Sequence, residues 1–111
     1  MAVAYVRAQL GLPYRLGGVG PDTFDCSGLV RSAYATAGVS LPRTSQDQSR
    51  LQPATGALAP GDVLYWGAPG AATHVAVYIG GGRFVGAQNI RTGVVERPVK
   101  GSGYTGAVRV V

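Results

Sequence analysis

Residues 2–38 and residues 62–111 follow different periodicities, and nothing else in the chain restricts its fold as much. In the later part, "DVLYW" (62–66), "HVAVYI" (74–79), "RFVGAQ" (83–88), "GVVERP" (93–98) and "TGAVRVV" (105–111) are short, rich in β-branched and aromatic residues, and separated by glycines. Such segments read as strands. In the earlier part the spacing is helical. Val3, Val6 and Leu10 recur at i, i+3, i+7 up to Gly11, which predicts a helix over 2–10. From Cys26, the positions Leu29, Val30, Ala33, Tyr34 and Ala37 keep the same spacing until Gly38, with Asp25 as the N-cap. Between these helices, "GLPYRLGGVGPDTFD" carries too many glycines and prolines for regular structure, and "LPRTSQDQ" reads as a turn with one short helix. Helices first and strands second predict an α+β fold in which the central helix packs on an antiparallel sheet. With 111 residues, no repeat and no internal boundary, one domain over 1–111 is expected.

Composition removes several function classes. The chain carries 10 Lys+Arg against 5 Asp+Glu, a net +5, but the cations are scattered and not interleaved with aromatics, so nucleic-acid binding is not expected. One Cys and one His exclude an internal disulfide and a Cys/His zinc cluster. No apolar run is long enough to span a bilayer. The opening "MAVAYVRAQLG" lacks the order of a signal peptide, so the chain is either intracellular or a domain from a longer secreted protein.

Chemistry therefore has to come from Cys26, His74 and oxygen groups. A lone Cys in a helix can be plain packing. At a helix N-terminus, however, unpaired N–H groups and the macrodipole favour the thiolate, the form that attacks. Gly28 removes a side chain beside the sulfur, which would let a substrate backbone approach. His74 opens a strand in which Val75, Val77 and Ile79 share one face, leaving His74, Ala76 and Tyr78 on the other. A strand-end His facing the helix that bears Cys26 is the layout of a Cys–His dyad.

In order and spacing, "PYRLGG", "FDCSGLV", "LPRTSQDQ", "APGDVLYWG" and "THVAVYIGGGRFVGAQ" resemble the NlpC-type peptidoglycan endopeptidases, papain-like cysteine peptidases of the bacterial cell envelope. The resemblance implies a papain-like α+β domain, its N-terminal helices packed on a five- to six-stranded antiparallel sheet. It matches Cys26 to the nucleophile, His74 to the general base and Tyr14 to a hydroxyl near the oxyanion. Asp25 and Ser27 match positions lining the subsite for the free amino end of a stem peptide, and Arg43 and Ser45 border the same cleft. The implied partner is the stem peptide of peptidoglycan, cut between γ-D-glutamate and the diamino acid, with no metal or organic cofactor, by a monomer in the envelope or outside the cell. Whether that diamino acid is diaminopimelate or lysine stays open.

One position departs from the family. A third polar residue, most often His, usually follows the base by twelve positions, and here that position is Gly86. Either the site is weakened or a neighbour takes over. If Gly80, Gly81 and Gly82 form a three-residue hairpin loop, His74 stands opposite Gln88 on the same face, and the Gln88 amide oxygen can accept from the imidazole. Asn89 points the other way in that register and ranks second. Two rivals keep part of this reading: a wall-binding module that has lost turnover, and a Cys–His amidase or acyltransferase with another substrate.

Overall fold

Apolar spacing turns into three helices and five strands, and the computed structural model describes them over residues 2–110. Helix α1 (Ala2–Ala8) ends earlier than expected. The chain turns after it so that the Gly11 N–H, at φ 91°, donates to the Val94 carbonyl, and Leu10 is left exposed rather than extending the apolar stripe. Helix α2 (Cys26–Ala35) starts where Asp25 accepts the Gly28 N–H at 2.7 Å, and the turn after it reaches Gly38, at φ 76°. Helix α3 (Ser45–Gln48) is a single turn capped by the Thr44 hydroxyl.

Strands β1 (Val63–Trp66), β2 (His74–Gly80), β3 (Arg83–Asn89), β4 (Gly93–Pro98) and β5 (Gly106–Val108) form one antiparallel sheet in the order β4-β3-β2-β1-β5. The last strand is shorter than the 105–111 expected, and Val111 lies outside the described residues. Alternation decides which side chains meet the helices. Val63, Val75, Val77 and Val85 are buried with Leu29, Val30 and Ala33 of α2 and Val6 of α1. At about 1.5–3 kcal/mol for each fully buried aliphatic side chain, this layer holds α2 to the sheet. The opposite face carries a smaller cluster of Leu64, Ala76 and Phe84, with Trp66 and Tyr78 packed against it.

The β2–β3 hairpin differs from the three-glycine loop expected. Its turn has two residues, Gly81 and Gly82, at φ 61° and 75°, closed by Gly80 opposite Arg83. These angles fit a type I′ turn, whose twist matches that of a hairpin. The register then shifts between Tyr78 and Gly80, so that Tyr78 faces Phe84 and Val77 faces Val85. A two-residue turn plus a bulge therefore reaches the register that a three-residue loop would have produced.

Candidate active site

Cys26 sits in the first turn of α2 because Asp25 caps that helix. Backbone N–H groups of Val75, Ser27 and Cys26 itself face the sulfur. The Val75 N–H belongs to β2, so the thiol lies against the strand that His74 opens. The expected drive toward thiolate is not the net result. Burial pushes the Cys26 thiol up, the Asp25 charge adds to this, and the N–H groups only partly offset them. The Asp25 carboxylate already occupies the helix N-terminus, which leaves less of that positive end for sulfur.

On the other side, His74 Nε2–H donates to Gln88 Oε1 at 2.5 Å. Burial holds the imidazole below its ordinary value, and the Gln88 hydrogen bond works against that. Both shifts favour a resting pair of neutral thiol and neutral imidazole. Trp66, opposite His74 in the β1–β2 register, lies over the ring with centroids 4.9 Å apart. Gly86 makes the Gln88 contact possible. A Cβ at residue 86 would stand 2.6 Å from Gln88 Oε1, 2.9 Å from the Ala76 Cβ and 3.5 Å from His74 Nε2. The missing side chain is thus the space into which Gln88 reaches. Asn89 instead accepts the Arg91 and Thr92 N–H groups in the β3–β4 turn.

The remaining expected residues gather beside the thiol. Tyr14 is held there because Arg15 N–H donates to the Phe24 carbonyl and Phe24 N–H to the Pro13 carbonyl. Its phenol is pushed up by burial and by the nearby Cys26 and Asp25 groups. Arg43 donates to both Asp25 oxygens, at 2.7 and 3.1 Å, and to the Ser27 hydroxyl at 2.8 Å. Burial alone would raise the Asp25 carboxyl, but Arg43 and the Gly28 and Gly17 N–H groups bring it below the usual carboxylate range. The Ser45 hydroxyl donates to the Ala72 carbonyl at 2.8 Å and thereby ties α3 to the loop before β2. Tyr14, Asp25, Cys26, Ser27, Arg43 and Ser45 line one groove of about 460 Å³.

Gly28 has a different role from the one expected. It is buried, and a Cβ there would be driven into the Gly18 carbonyl, so its neighbour is the chain's own loop rather than a substrate. Sequence reasoning passed over Trp66 and Gln48. The Gln48 amide nitrogen donates to the carbonyls of Ser27 and Pro42 and anchors α3 to the first turn of α2. The Trp66 signal was present in "DVLYW", but only the register reveals that it faces His74.

The profile of the NlpC/P60 family matches residues 11–111. The chain belongs to the NlpC/P60 family. It is 38% identical over 104 residues to the probable endopeptidase p60 of Listeria monocytogenes, covering 92% of this chain and 21% of that protein. With the peptidoglycan endopeptidase RipB of Mycobacterium tuberculosis the identity is 39% over 124 residues, covering 94% of this chain and 51% of RipB. The chain thus spans between a fifth and a half of these curated relatives. Among solved structures, the NlpC/p60 domain of the peptidoglycan hydrolase SagA superposes with a TM-score of 0.88 at 33% identity, covering 97% of this chain and 95% of that one. The RipB structure gives a TM-score of 0.79, also at 33% identity, covering 99% of this chain and 65% of that one. This NlpC/P60 domain has the α+β, papain-like architecture of its relatives.

Proposed function

We propose that this domain is a cysteine peptidase of the cell envelope that hydrolyses peptidoglycan stem peptides between γ-D-glutamate and the diamino acid. The observation that carries the reading is the His74–Gln88 hydrogen bond, which orients the imidazole and leaves Nδ1 as its basic nitrogen. Nδ1 takes the proton from Cys26 Sγ as the sulfur attacks the scissile carbonyl carbon. With a neutral resting pair, the two events are coupled rather than starting from a preformed thiolate. The Tyr14 hydroxyl and the Cys26 backbone N–H donate to the oxyanion. The imidazolium then protonates the leaving amine, and a thioester remains. Water, losing its proton to Nδ1, attacks the thioester carbonyl, and the acid leaves as Sγ regains a proton.

Asp25 supplies a carboxylate and Arg43 a cation beside the groove, which suits an acyl part that carries an amino end and a carboxylate of its own. Endopeptidase names among the relatives support the same reaction class. Digestion of purified peptidoglycan and of free tripeptide and tetrapeptide stems, with mass analysis, tests the proposal. Wild type is expected to release fragments ending in γ-D-glutamate, and Cys26→Ala to lose at least about 10⁴-fold of the rate. Binding of wall without any cleavage would instead make the domain a wall-binding module.

A further inference from the structure

A second groove, of about 520 Å³, is lined by the imidazole and not by the thiol, and the sequence patterns did not point to it. His74 and Gln88 line it, Trp66 contributes apolar surface, and Arg97 and Lys100 line it from strand β4 and the turn that follows. Arg97 stands opposite Phe84 in the β3–β4 register, and Phe84 packs on Trp66 with ring centroids 5.2 Å apart. This places Arg97 on the sheet face that His74 and Gln88 share. Among the described residues no carboxylate lines the groove. The three ion pairs among the described residues take Arg43, Arg83 and Arg109, not Arg97 or Lys100, and the nearby Glu96 is held by Arg83 at 2.5 Å.

Thr73 lines both grooves, so they meet beside the imidazole. The imidazole protonates the leaving amine, which therefore lies on its side of the scissile bond, while Tyr14 and Asp25 hold the acyl part on the other. We propose that the Arg97–Lys100 groove is the subsite for the leaving half of the substrate and selects a diamino acid whose side chain ends in a carboxylate, as in diaminopimelate, over one ending in an ammonium alone, as in lysine. This rests on the peptidase reading above. Two cations without anionic partners attract the first side chain and repel the second.

The test compares two stem tripeptides that differ only in the third residue, diaminopimelate or lysine, by kcat/KM. Wild type is expected to prefer diaminopimelate by about tenfold or more, the scale of two charge contacts at a solvent-open groove. Arg97→Gln with Lys100→Gln should bring the ratio close to one, and Arg97→Glu with Lys100→Glu should invert it. Arg91→Gln, in the β3–β4 turn and outside both grooves, should keep the wild-type ratio and show that the effect is local. Equal cleavage of both tripeptides by wild type, or a preference that survives in the double Gln variant, overturns the subsite while leaving the peptidase reading intact. Cleavage of neither overturns the peptidase reading and the subsite with it.

Discussion

In the proposed mechanism Gln88 does for His74 what an acceptor at position 86 would otherwise have to do, and the charge state of the imidazole makes that role measurable. The amide raises the imidazole, against the burial that lowers it. Gln88→Ala should therefore cost about 10–100-fold in kcat through loss of orientation and should also move the acid limb of kcat/KM to lower pH. Gln88→Glu places a carboxylate at the same nitrogen and should move that limb to higher pH. A loss of activity with an unmoved limb in both variants would mean that Gln88 only fills space. The register inferred from an assumed three-glycine loop placed Gln88 opposite His74, and their side chains do meet. Helix position gave the opposite direction for the Cys26 shift, toward the thiolate, because it neglects the burial and the Asp25 charge that outweigh it.

At the level of the β2–β3 hairpin, Gly86 and Gln88 work as one unit. The residue that looks like a defect is required by the reach of its neighbour, since a Cβ at 86 would meet both Gln88 Oε1 and the Ala76 Cβ inside normal contact distance. The Gln88 end can swing away, but Ala76 is fully buried on β2 and cannot. Gly86→Ala is thus expected to lower kcat by about 10²-fold while the protein stays folded, as judged by circular dichroism. Wild-type turnover in that variant would show that the hydrogen bond is dispensable. The hairpin also illustrates how a correct pairing can follow from a wrong turn. Three consecutive glycines allow several turn geometries, and Ile79, the residue at the register shift, is packed in the core.

Across the whole molecule, contacts far apart in sequence close the chain on itself. Asp62, almost fully buried before β1, accepts from Arg109 beyond β5 at 2.8 and 2.9 Å and from the Ala59 N–H at 2.8 Å. Arg109 is the main cause that holds the Asp62 carboxyl below its usual range. A depressed carboxyl contributes stability that is present above its unfolded value, near pH 4, and is lost as pH falls through the folded value. Arg109→Gln should therefore lower the thermal midpoint at pH 7, with the difference from wild type shrinking below about pH 4. A difference of equal size at pH 3 and pH 7 would assign the loss to packing instead. Among the described residues no helix is long and apolar enough to cross a membrane.

From the sequence alone followed the division into helices and a sheet, the start of α2 at Cys26, and the shared face of His74 and Gln88. Each depends on neighbours within a few residues, through capping and through the two periodicities. Tertiary structure alone decided that Gly28 packs on the Gly18 loop, that Trp66 covers His74, that burial pushes the Cys26 thiol up and the His74 imidazole down, and that Arg97 and Lys100 share a groove with the imidazole. These outcomes depend on segments far apart in the chain. Desolvation and charge act through space, and the distances that set them exist only after the sheet has brought β1, β3 and β4 around His74.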